Sequence, residues 1–171
     1  DAVVDQILTL FGQTLAITAD TLATKRRCLV PDRAEDPNSS EFLERLITFA
    51  EDRVYRGNLA DFQSLFDALG VDADSFKRLR KNVSDRTERP FCPLHADLHR
   101  ENFILDRTGR LWTIDWELAM FGDPLYDLAT HLYLMRYPDK QHDVLVERWS
   151  SLAEDVRPGS ARNWERDLPK I

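Results

Sequence analysis

The sequence predicts an α+β fold, mostly helical, built as a single domain with one small β-hairpin. Three observations carry this. Apolar residues recur at helical spacing through the region before Arg89 and again beyond Pro124. The texture breaks at Arg89, after which Pro90 and Pro93 exclude helix. Between these regions, two short apolar runs flank one Gly-containing turn, the pattern of a hairpin.

In order along the chain, residues 1–25 read as an amphipathic helix with Val4, Ile7, Leu8, Phe11 and Leu15 on one face. Residues 31–40 are polar and turn-rich, ending in Ser40 as the expected N-cap. A second helix carries Phe42, Leu43, Leu46, Ile47, Phe49 and Ala50. A third runs from Leu59 to Leu69 and stops at Gly70. Asp72 or Asp74 caps a fourth, which carries Phe76 and Leu79. The hairpin comprises Phe103–Asp106, a turn through Gly109, and Leu111–Asp115. Asp123 caps a helix that opens with Pro124, shows Leu125, Leu128, Ala129, Leu132 and Tyr133 on its apolar face, and ends before Pro138. A last helix carries Val144, Leu145 and Trp149, and the polar tail from Arg157 to Ile171 reads as loose.

Composition excludes several classes. The 171 residues include 43% hydrophobic ones, enough for a core and too many for a disordered chain. A formal net charge of -7 argues against a nucleic-acid binder, which needs a basic face. Cys28 and Cys92 form no Cys-x-x-Cys pair, so both read as buried apolar residues in a reduced, cytoplasmic protein. No apolar run reaches the roughly 18 residues a membrane helix needs, and no signal peptide is visible. Neither repeats nor low-complexity tracts occur, and oligomeric state is not legible.

The chemistry is concentrated in His95-Ala-Asp97-Leu-His99-Arg-Glu-Asn102 and in Ile114-Asp115-Trp116-Glu117. Phosphoryl transfer from a nucleotide needs one carboxylate at the acceptor hydroxyl and oxygen ligands for magnesium beside the phosphates. Asp97 suits the acceptor, Asn102 offers a side-chain carbonyl to the metal, and Asp115 a full charge. The hairpin turn brings Asp115 back toward Asn102. An isolated carboxylate, with a reference pKa of about 3.9, is a weak base, so its task is to orient the hydroxyl and take the proton late.

His95-x-Asp97-x-x-x-x-Asn102 followed by Ile114-Asp115 resembles the signature of the aminoglycoside phosphotransferase and choline kinase families, relatives of the protein kinases. Gly122-Asp-Pro-Leu-Tyr-Asp127-Leu-Ala129 resembles the family's next block, so the likeness runs over roughly residues 90–135. It implies a protein-kinase-like C-terminal lobe that uses ATP and Mg2+ to phosphorylate a hydroxyl of a small molecule. Asp97 corresponds to the catalytic residue, Asn102 and Asp115 to the metal ligands, and His95 and Asp127 to residues that support the catalytic loop. Glu117, His99 and Trp116 are candidates for contact with substrate or for the surroundings of the metal, while Trp112 and Trp116 read chiefly as core. Arg100 receives no role; His131 and His142 read as surface or packing residues. The family's Gly-rich phosphate loop and strand-borne Lys are not found upstream of His95, so the expectation is a C-terminal lobe without its nucleotide lobe, inactive alone.

The acceptor is open: an aminoglycoside, as in antibiotic resistance, choline or ethanolamine, a sugar or homoserine would all use this site. The acidic balance favours a cation. Two other functions compete. An extended His95-Ala-Asp97-Leu-His99 would set three ligands on one face for a zinc hydrolase, and a kinase-like lobe can be a non-catalytic binding module.

Overall fold

The computed structural model describes residues 2–21 and 34–171. Seven α-helices and four short strands are seen among them: α1 Ala2–Leu15, α2 Ser39–Phe49, α3 Gly57–Ala68, α4 Ala73–Val83, β1 Cys92–Leu94, β2 Phe103–Leu105, β3 Leu111–Thr113, β4 Met120–Gly122, α5 Pro124–Met135, α6 Asp139–Val156 and α7 Trp164–Asp167. No described helix is long and apolar enough to cross a membrane.

Helix α1 buries Ile7, Leu8, Phe11 and Leu15, as its spacing predicts, but ends at Leu15. The rest of the expected helix becomes a 3-10 turn at Ala19–Thr21, and its last residues, with Cys28 and residues 31–33, lie outside the described residues. The cap of α2 is Asn38, not Ser40: the Asn38 side chain accepts the Glu41 N–H, while the Ser40 hydroxyl accepts the Arg86 N–H. Phe42, Leu43 and Ile47 are buried, whereas Phe49 is 62% exposed, because the helix runs on into a π-helical stretch, Ala50–Arg56, that rotates its faces. Helix α4 opens with a reciprocal Asp72–Ser75 capping box. Phe76 is buried and Leu79 faces solvent.

Two antiparallel two-stranded sheets replace the single expected hairpin. The expected one pairs Phe103 with Thr113 and Leu105 with Leu111. The other pairs Cys92 with Gly122 and Leu94 with Met120, bridging the two sides of the hairpin. Gln6 of α1 clamps the hairpin turn, donating to the Gly109 carbonyl (2.9 Å) and accepting the Leu111 N–H (2.7 Å). At the second sheet an added Cβ on Gly122 would lie 2.2 Å from the Phe42 ring. That ring packs in turn against Phe91, tilted, and Tyr126, edge-on.

Helix α5 packs against β1 and the C-terminal tail. Asp123 caps it, Pro124 fills its first turn, and Leu125, Leu128 and Leu132 are buried. Tyr133 is 75% exposed, outside the apolar face expected for it. The tail beyond Arg157 is not loose. Asp167 of α7 is fully buried and receives Arg86 (3.2 Å), Arg89 (2.5 Å), Arg166 (2.8 Å) and the Thr87 N–H (2.9 Å). Burial alone would raise its pKa, but these donors hold the carboxyl well below the usual range. Arg89, with no exposed surface, also donates to Asp123 (2.9 Å), joining the tail to the start of α5.

Candidate active site

The loop from His95 to Asn102 leaves β1, passes through a 3-10 turn at Arg100–Asn102 and enters β2. Its backbone is held group by group. The Asp127 carboxylate accepts the His95 N–H (3.1 Å) and the Ala96 N–H (2.7 Å). Ala96 sits at φ 66°, a left-handed conformation that costs a residue with a Cβ about 1–2 kcal/mol, and these bonds hold it there. Burial raises the Asp127 pKa, and the two N–H donors oppose that.

Asn102 is buried and shapes the middle of the loop. Its amide nitrogen donates to the Asp97 carbonyl (2.8 Å) and to Asp97 Oδ2 (3.1 Å). Both partners are acceptors, so the amide orientation is chemically fixed and Oδ1 faces away from them. His99 acts on the same carboxylate oxygen. Its Nδ1 accepts the Glu101 N–H (3.3 Å), which leaves the proton on Nε2, 3.3 Å from Asp97 Oδ2. Asp97 Oδ1 has no partner among the described residues.

The segment beyond β3 is tied to this loop through one residue. The Ile114 N–H donates to the Asn102 carbonyl (3.0 Å), and its carbonyl accepts from His95 Nε2 (2.9 Å). The strand itself ends at Thr113, two residues short of Asp115, which is exposed at φ 61°. Among the described residues nothing donates to its carboxylate. Asn102 and Asp115 thus present one neutral and one charged oxygen from adjoining backbone, a donor set of the kind magnesium takes together with phosphates and water. Glu117 is exposed on the following turn. Trp116 is 42% and Trp112 47% exposed, so neither is core. Trp116 lies 4.6 Å from the His95 ring and donates to the Thr113 carbonyl, while Trp112 donates to Asp106 under Arg110.

The zinc triad is not formed. His95 is fully buried with its Nε2 on the Ile114 carbonyl, and its Nδ1 finds no partner among the described residues. No group of three His, Cys, Asp or Glu side chains among the described residues could hold a metal ion. A cleft of about 770 Å³ lined by Ser151, Glu154, Pro158, Arg162 and Trp164 shares no residue with the loop, and Glu154 there is engaged by the Gly159 and Ala161 N–H groups.

The sequence reads His131 as a surface or packing residue, and the structure makes it neither a surface residue nor packing alone. It is fully buried, bonded through Nδ1 to the Leu98 carbonyl (2.8 Å) and through Nε2 to the Tyr137 hydroxyl (3.0 Å). The one signal in the sequence is its spacing: it stands four residues after Asp127, on the same helix face. His142 is a surface residue beside Asp143.

Residues 1–165 match the Phosphotransferase enzyme family, and the chain belongs to that family. Among curated relatives, it is similar to Protein LicA of Haemophilus influenzae, 31% identical over 120 residues that make up 66% of this chain and 42% of that protein. It is also similar to the thiamine kinase of Salmonella typhi, 36% identical over 77 residues, 45% of this chain and 26% of that enzyme. The chain therefore spans less than half the length of these relatives. No solved structure matches it.

Proposed function

We propose that this chain forms the catalytic and substrate-binding lobe of an ATP-dependent kinase that phosphorylates a hydroxyl of a small molecule. The observation that carries the reading is the state of the Asp97 carboxylate. Asn102 and His99 both address Oδ2, and Oδ1 is left to meet an incoming group. In the reaction the acceptor oxygen bonds to the γ-phosphorus as the bond to ADP breaks, and the hydroxyl proton passes to Asp97 Oδ1. Holding that hydroxyl in line is the larger part of the task.

Asn102 Oδ1 and the Asp115 carboxylate would hold magnesium, which when bound neutralises charge on the transferring phosphate. His95 and Asp127 keep the loop in shape. The nucleotide-covering part belongs, on this reading, to a further segment, and residues 1–171 alone should transfer no phosphate. The partial coverage of both relatives is in keeping with that division of labour.

The acceptor we favour is a cationic alcohol. One relative is named for thiamine, a hydroxyl-bearing cation. The exposed Trp116 ring and the Glu117 carboxylate, both next to Asp115, suit a positive charge, as does the net charge of -7. Full-length protein assayed with ATP against thiamine, choline, an aminoglycoside and a neutral sugar tests this. Asp97→Asn should cut turnover by about 10²–10⁴. Undiminished turnover would refute the role of Asp97, and a preference for the neutral sugar would refute the cationic acceptor.

A further inference from the structure

We infer that His131 is a positioning residue for Asp97, the second of two α5 side chains that clasp the loop, one just before that residue in the chain and one just after it. The inference rests on the kinase reading for its functional consequence and on geometry alone for the clasp.

Asp127 and His131 stand one helical turn apart, so their side chains leave α5 on one face. Asp127 takes the N–H groups of His95 and Ala96, before Asp97. His131 takes the Leu98 carbonyl, after it. The Asp97 peptide is thereby pinned on both sides by one rigid element. The Leu98 carbonyl can only accept, so Nδ1 of His131 carries the proton, and Nε2 accepts from the Tyr137 hydroxyl. The ring has no rotational freedom: Phe11 lies edge-on at 5.7 Å, Phe103 at 6.2 Å, and Tyr137 at 5.5 Å. Burial depresses its pKa to about 4, so it stays a neutral, single-tautomer donor at physiological pH.

A packing role and a positioning role differ in what they demand of a replacement. Packing asks for volume; positioning asks for an N–H at the Nδ1 position. Asn supplies an amide N–H close to Nδ1, and Leu supplies only volume. In the full-length protein, His131→Leu should lower kcat about ten- to a hundredfold with little change in the KM for ATP, the scale expected when a reacting group is displaced by a fraction of an ångström to an ångström. His131→Asn should recover most of that loss. Tyr137→Phe, which keeps the ring and removes only the hydroxyl, should fall between wild type and His131→Leu, and it covers the case in which His131→Leu fails to fold.

Amide hydrogen exchange of residues 95–99 reads the clasp without reference to turnover. Faster exchange there in His131→Leu or Tyr137→Phe than in His131→Asn supports the clasp. Equal exchange and equal kcat in all variants that fold overturn it and leave His131 as core packing. If the wild-type protein transfers no phosphate to any acceptor, the kinase reading fails, while the exchange comparison still decides the clasp.

Discussion

Replacing Arg89 by Met removes the fully buried cation that joins Asp123 to Asp167 and leaves both carboxylates behind. Arg89 spans Asp123 and Asp167, and side chains on both sides of each pair are at most 1% exposed. Asp167 keeps Arg86, Arg166 and the Thr87 N–H, but Asp123 loses the only guanidinium that reaches it among the described residues and retains the Leu125 N–H. Removing one partner of a buried ion pair costs about 3–5 kcal/mol, because the remaining charge is uncompensated. The loss should depend on pH with a definite sign. Burial already pushes the Asp123 pKa up against the pull of Arg89, and without Arg89 it rises further. A raised native pKa means that the native state binds more protons than the unfolded chain, so stability falls as pH rises through it. The variant's deficit should therefore be larger at pH 8 than at pH 5. Urea denaturation followed by tryptophan fluorescence, to which the fully buried Trp149 contributes, measures both values. A deficit under about 1 kcal/mol, or one that grows on acidification, would refute the reasoning, since neither is compatible with a stranded buried carboxylate.

Other outcomes follow from the same contacts. In the full-length protein, Asp115→Asn should raise the magnesium concentration needed for half-maximal turnover, which a metal titration of the phosphotransfer rate checks. His131, with a native pKa of about 4 against an ordinary value of 6.5, refuses a proton that the unfolded chain accepts. Stability should consequently drop by up to about 3 kcal/mol as pH falls from 6.5 to 4, and His131→Asn should flatten that slope in acid-unfolding curves. Gly122→Ala drives a Cβ into the Phe42 ring and should destabilise by about 1–3 kcal/mol in the same urea assay, since that ring is already wedged between Phe91 and Tyr126.

The features legible in the sequence are those with local causes. Asp123 before Pro124 and the turn at Gly109 are fixed by backbone chemistry within a few residues and stand where the pattern puts them, and of the two caps the pattern allows for α4, Asp72 and Asp74, the structure uses Asp72. The helix faces of α1 and α5 follow from period alone, apart from Tyr133. What period cannot report is pairing across the chain. The strands β1 and β4 are three residues each and contain Pro93, so no alternation betrays them. The order of the tail depends on three arginines, two of them some 80 residues upstream, converging on Asp167. Trp112 and Trp116 read as core, yet Trp112 stands on the exposed side of β3 and Trp116 on the exposed turn beyond it.

The candidate site is legible in the sequence as a set of residue types, and its support is not. The motif names Asp97, Asn102 and Asp115, but the loop holding Asp97 contains a left-handed alanine and cannot keep its shape from local preference. Its shape is supplied by α5. That helix meets Arg89 at its cap and carries Asp127 one turn in and His131 one turn further, so a single rod links the buried Asp167 cluster to the loop that carries Asp97. Stability and positioning are then one structural problem in this chain. A substitution in the tail that shifts the α5 cap should reach Asp97 through two hydrogen-bonded anchors, whereas one in α3, whose residues are all outside the buried core, has no such route.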